Sequence, residues 1–139
     1  MRPRKVSAIL RDSNVVQLAR TDSVREAARQ MKAHGCGSVL VTEGTRLLGI
    51  FTERDLVNKI VADGRDPDAT TAGEVMTANP KTVESDEAAI VALRMMDDGG
   101  FRHLPVVDDG RVVGVLSRRD FPIDVAAQIE NERRIWDKV

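Results

Sequence analysis

The chain has 139 residues and 15.3 kDa, is 42% hydrophobic and 31% charged, and carries 21 basic and 22 acidic residues for a net charge of −1. Such a length and balance suit one compact domain, or two small ones sharing a core, and exclude a disordered chain. Near-neutral charge and only 3% aromatics leave neither the basic footprint nor the stacked-ring platform that nucleic-acid partners require.

Taken in chain order, MRPRKVSAIL begins basic but holds no apolar stretch of signal-peptide length. Nothing later approaches the roughly eighteen consecutive apolar residues of a membrane helix, so no membrane anchor is expected. A short extended piece, VVQL, follows, and then SVREAARQMKAHG, where Val24, Ala27, Ala28 and Met31 recur at helical spacing until Gly35 stops the helix. The only cysteine, Cys36, rules out an internal disulfide, fits a reducing cytoplasm, and reads as a small residue at a turn because no partner motif marks it as a nucleophile. Two β-prone runs, SVLVT and RLLGIF, joined by EGT, predict a hairpin, and TERDLVNKIVADG predicts a closing helix. RDPDATTAGEVMTANP has the turn residues of a connector.

The same order then returns. KTV, the helix DEAAIVALRMMDDGG with Ala89, Ala92, Leu93 and Met96 on one face, the strands HLPVVD and RVVGVL around DDG, and a longer C-terminal stretch repeat the first series. A shift of 65 lays residues 21–56 over 86–121 without a gap. Nine of those 36 pairs are identical: Ala27/Ala92, Arg29/Arg94, Met31/Met96, Gly35/Gly100, Val41/Val106, Arg46/Arg111, Gly49/Gly114, Arg54/Arg119 and Asp55/Asp120. One structural unit is therefore written twice, as strand, helix, strand, strand, helix: a mixed α/β (α+β) architecture with a three-stranded sheet and helices on one side in each copy. We divide the chain at residue 70: a first repeat over 1–70, with core 14–64 and the N-terminal segment, and a second over 71–139, with core 79–121 and a C-terminal helix. One such unit would be marginal alone, and two packed sheet to sheet bury the face each exposes.

GIFTERD and GVLSRRD are the paired motifs that carry chemistry. A hydroxyl at the end of a strand caps the next helix, whose terminal N–H groups and positive dipole favour an anion. Asp55 and Asp120 lie almost one turn further on, where an ionised carboxylate can accept both hydroxyls of a ribose. Plain capping accounts for Thr52 and Ser117, but less well for the aspartates, since a capping box prefers Glu or Gln at that place. Arg102, His103, Arg118 and Arg119 surround the second motif, whereas Gly37, Ser38, Glu53 and Arg54 surround the first, so phosphate is expected at the second copy. Pro122 predicts a last helix that is kinked or starts late. Val125, Ile129 and Trp136 form an apolar stripe along it, suited to the chain's own core or to a second subunit, of which we favour the second.

The duplicated order, EVMTANPKTV and FRHLPVVDDGRVVGVLSRRD together resemble a tandem pair of cystathionine β-synthase (CBS) domains, a Bateman module, from about Val6 to Asp120. With no other domain in the sequence, the likeness is to a stand-alone prokaryotic CBS-pair protein. The resemblance implies a pseudo-twofold module that senses adenosine nucleotides (AMP first, then ADP, ATP, NAD(H) or S-adenosylmethionine) in a cleft between repeats, without catalysis, and that dimerises through its helices. It implies that adenine lies against Thr82 and Val83 with His103, Leu104 and Pro105 in the second copy. The matching residues of the first are Gln17, Leu18, Ser38, Val39 and Leu40, although Val39-Leu40 departs from the Leu-Pro dipeptide common in the family.

An enzyme would have to use His34 and His103, which stand in unrelated positions, and no metal-ligand spacing, P-loop or dinucleotide fingerprint accompanies them. The rival to ligand sensing is a structural or protein-interaction module with degenerate nucleotide sites.

Overall fold

A computed structural model describes residues 3–11 and 15–137, with the backbone alone for Asp137. The chain divides into two compact units, Asn14–Pro80 and, from two stretches, Met1–Ser13 with Lys81–Val139.

In the first unit, β1 (Gln17–Leu18) runs parallel to β2 (Ser38–Glu43), which forms a hairpin with β3 (Arg46–Thr52). Between β1 and β2, α2 (Val24–His34) starts at Ser23, whose hydroxyl accepts the Glu26 N–H at 3.1 Å, and ends at Gly35, with φ 61°. Leu18, Val24, Ala27, Met31, Val39, Phe51 and Ile60 form the core beneath the helices, so the 3.6-residue face of α2 meets the alternate-residue face of the sheet. The predicted closing helix begins as α3 (Glu53–Asp55), but from Leu56 to Val61 it is wound as a π-helix. After it, α4 (Ala72–Val75) leads into β4 (Thr77–Ala78), antiparallel to β3. The sheet therefore has four strands instead of the three expected, the fourth supplied by the connector.

The second unit has the three strands predicted: β5 (Val83–Glu84) parallel to β6 (His103–Asp108), and β6 antiparallel to β7 (Arg111–Ser117). The β6–β7 turn, Asp109-Gly110, has φ 49° and 78°, the positive pair that a two-residue hairpin demands. Each hairpin slips register once, between Val41 and Thr42 and between Val106 and Val107, 65 residues apart. Helix α5 (Ala89–Gly99) ends at Gly100, with φ 70°. A 3-10 turn (Arg118–Asp120) precedes α6 (Ile123–Asp137), and the Pro122 carbonyl accepts the Val125 and Ala126 N–H groups, each at 3.1 Å; the last helix starts late, as predicted.

The compact units do not follow the division of the sequence repeats at residue 70, because two short helices pack with the other repeat. Ahead of the first repeat, α1 (Val6–Ile9) buries Val6 and Ile9 with Val83, Leu93, Leu104 and Val125 in the second unit. Backbone bonds fasten it there: Val6 N–H to Glu87 O at 2.8 Å, Ser7 N–H to Ser85 O at 2.9 Å, and Ala89 N–H to Arg4 O at 2.8 Å. In the same way α4, ahead of the second repeat, belongs to the first unit, where the Ala72 N–H donates to Asp22 O at 2.8 Å. Each repeat is completed by the helix that leads into the other one.

On α6, Val125 and Ile129 enter the core of the second unit, whereas Trp136 is 76% exposed. The expected stripe is thus split between the unit's own interior and solvent. The helix is held to α5 by Arg94, which donates from Nε to Glu132 Oε2 at 3.3 Å and from Nη2 to Oε1.

Candidate functional site

In both units the paired motif sits where the last hairpin strand turns into a helix, opposite the start of the middle strand. Ser38 faces Thr52 across β2 and β3, and His103 faces Ser117 across β6 and β7. The Glu53 N–H donates to Gly37 O at 3.0 Å, and the Arg118 N–H to Arg102 O at 3.2 Å. Equivalent bonds therefore close the corner in each copy.

The aspartates do part of what the sequence reading denied them. The Thr52 N–H donates to Asp55 Oδ2 at 3.0 Å and its hydroxyl to the same oxygen at 3.2 Å, while the Asp55 N–H donates back to Thr52 Oγ1 at 3.3 Å. The Ser117 N–H donates to Asp120 Oδ2 at 2.8 Å. Both motifs are reciprocal capping boxes built with Asp. The N–H groups of Thr52, Glu53 and Asp55 are engaged within the corner, which leaves fewer backbone donors for an anion at the first motif than a bare helix start would offer.

What each carboxylate keeps is Oδ1. Asp55 Oδ1 lies 3.3 Å from Lys59 Nζ, and Asp120 Oδ1 lies 4.0 Å from Arg11 Nε. Both aspartate side chains are mostly covered, at 14% and 10% exposure. Neither cation was singled out in the sequence. The i,i+4 spacing could have revealed Lys59, while Arg11 required knowing that α1 joins the second unit.

The other predicted residues divide into groups. Leu18, Val39, Val83 and Leu104 are buried in the helix-covered cores, so a ligand can reach only their backbone. Leu40 and Pro105, on the opposite faces of their strands, are also buried, as is Ser38. Gln17 and Thr82 are exposed, and Gln17 Oε1 accepts the Thr42 hydroxyl at 3.0 Å. Arg54, Arg102 and Arg119 are exposed and His103 is half-buried. Arg118 is drawn away from its expected place: its Nη1 donates to Asp97 Oδ1 on α5 at 3.1 Å, and Arg133 holds the other oxygen of Asp97. His34 is exposed and meets Gln30 Oε1 at 3.2 Å, while Cys36 Sγ donates to Ser38 O at 3.4 Å. Among the described residues no group of three or more His, Cys, Asp or Glu could hold a metal ion, and no helix is long and apolar enough to cross a membrane.

Known proteins share this duplicated fold. The family model described as CBS domain matches residues 6–62 and again 72–121. A CBS domain-containing protein of Arabidopsis thaliana is 38% identical over 122 residues, 87% of this chain and 23% of its own length. An uncharacterized protein of Methanopyrus kandleri is 39% identical over 122 residues, 86% of this chain and 62% of its own. The chain thus spans less than two thirds of either curated relative. Among solved structures, a CBS domain protein from Pyrobaculum aerophilum complexed with AMP superposes with a TM-score of 0.82 at 28% identity, covering 92% of this chain and 99% of that one.

Proposed function

This chain belongs to the CBS-domain family, and from that membership we propose that it is a regulatory ligand sensor whose paired corners, Thr52/Asp55 and Ser117/Asp120, bind adenosine nucleotides, AMP foremost. The observation that carries the reading is the division of labour within each carboxylate. Oδ2 is committed to the cap, and Oδ1 is left beside a cation in a mostly covered position. A carboxylate serving only as a cap has no need of the second arrangement, which suits sugar hydroxyls on the acceptor and phosphate near the cation. We assign adenine to the starts of the middle strands, Ser38–Leu40 and His103–Pro105. ADP, ATP, NAD(H) and S-adenosylmethionine share the ribose and adenine and remain alternative ligands.

Signalling follows as a population shift: a nucleotide that binds one conformation better changes the surface offered to a partner protein. We assign the chain a regulatory role in the cytoplasm, without catalysis. Homodimerisation fits the apolar side chains left exposed on helices, Val57 and Val61 in the π-helical segment and Ile123, Ile135 and Trp136 on α6.

A thermal-shift screen of AMP, ADP, ATP, NAD, NADH and S-adenosylmethionine tests the proposal. A ligand at 100 times its Kd adds about 2.7 kcal/mol to stability. One observation favours the structural or protein-interaction reading instead: each carboxylate closes a capping box within its own corner, a purely structural duty. Absence of a shift with every compound would establish that second reading.

A further inference from the structure

The geometry points to Lys59 as the group that receives the ligand's phosphate at the first-unit site. The inference rests on the nucleotide reading above and names a cation that the paired motif does not contain. Lys59 lies in the π-helical segment, four residues after Asp55. Its ammonium donates to the Val75 carbonyl at 2.7 Å and lies 3.3 Å from Asp55 Oδ1, with 39% of the side chain exposed. That carbonyl ends the four-residue α4, where the last helical carbonyls have no partner within the helix. Lysine satisfies it and is itself held in place.

An ammonium has three N–H donors, and these contacts use two. The third is left beside the oxygen of Asp55 that the capping box does not occupy. A nucleotide whose sugar hydroxyls rest on Asp55 carries its phosphate one carbon off the same ring, within reach of that donor. A compact, strongly hydrated point charge suits phosphate oxygens without needing the fork of a guanidinium.

The repeat makes this position a point of difference. Shifted by 65, Lys59 corresponds to Asp124, which pairs with Arg4 at 3.3 Å. One turn after its ligand-binding aspartate the first copy therefore carries a positive charge and the second a negative one. With Arg118 engaged by Asp97, the expected preference of phosphate for the second copy rests on one arginine fewer.

The test isolates the first site in an Asp120→Ala background and measures AMP and adenosine by calorimetry, with and without Lys59→Met, which keeps the apolar stem. AMP binding should weaken about tenfold or more while adenosine affinity stays unchanged, and Lys59→Arg should restore the preference for AMP. Equal losses for both compounds would make Lys59 a structural brace and overturn the inference, as would no loss at all. If wild type binds AMP but Asp120→Ala does not, the first site fails while the nucleotide reading survives at the second. If wild type binds neither compound, both fall. A melting curve checks folding, and Lys59→Gln, a neutral donor to the Val75 carbonyl, carries the comparison should Lys59→Met not fold.

Discussion

Replacing Asp120 by Asn separates the two duties of its carboxylate. Oδ2 accepts the Ser117 N–H at 2.8 Å, and an amide oxygen can accept the same bond. The variant should therefore lose only the charge that faces Arg11 and the start of the turn, together roughly 0.3–1 kcal/mol. Asp120→Ala, by contrast, leaves a half-buried N–H without its acceptor and should cost about 1–3 kcal/mol. For binding the order changes. The Asn NH2 group cannot accept a sugar hydroxyl, so one charge-assisted hydrogen bond is lost in both variants, about 1.5–3 kcal/mol or roughly 10- to 150-fold in Kd for AMP. Denaturant titration and calorimetry on the three proteins give both numbers. Wild-type AMP affinity in Asp120→Asn would refute the assignment of Oδ1 to the ligand, and instability equal to that of Asp120→Ala would refute the assignment of Oδ2 to the cap.

Gly49→Ala should destabilise the first unit by about 1–3 kcal/mol, because a Cβ there would stand 2.8 Å from the Thr77 carbonyl oxygen and press on Met76 Sδ; chemical denaturation at wild-type stability would contradict this close packing of β4 on β3. The Arg94 hydrogen bond holds the Glu132 carboxyl below the usual range, so its contribution is present above about pH 4.3 and is lost as pH falls through the lowered value. Glu132→Gln should accordingly melt below wild type at neutral pH and with it in strong acid; an equal gap at both would show that charge plays no part. Trp136→Glu places a charge on the exposed end of α6, and sedimentation should show a dimer converted to monomer if that end is a subunit contact. An unchanged dimer would move the contact elsewhere.

Most of the secondary structure was legible because its signals are local. Helical spacing, glycine stops and β-branched runs around EGT and DDG specify α2, α5 and the two hairpins from residues near in sequence. The duplication multiplied those signals. What escaped notice depends on distant partners. Strand β4 has two residues, too few to show alternation, and exists because Gly49 lets the connector approach β3. The placement of α1 on the second unit rests on backbone bonds across some 80 residues. Extending the self-comparison by one further step, which sets Val6 over Ala72 and Ile9 over Val75, would have signalled that α1 and α4 correspond. At the candidate site the Thr/Ser and Asp pairs are legible in the sequence, but the preference of capping boxes for Glu or Gln makes Asp the less expected partner. A tight corner shortens the span, and the box closes.

The exchange of leading helices bears on how the molecule is made. Every element of the first unit, α4 and β4 included, has been synthesised once the ribosome passes Pro80, so that unit can fold while the rest is still being translated. The second unit cannot: its core needs Val6 and Ile9 from the first ten residues together with Val125 and Ile129 near the last. During elongation α1 is made before residues 14–80 and reaches its core only once its partners in residues 81–129 have followed. Completion of the second unit therefore waits on the synthesis of the residues after 80.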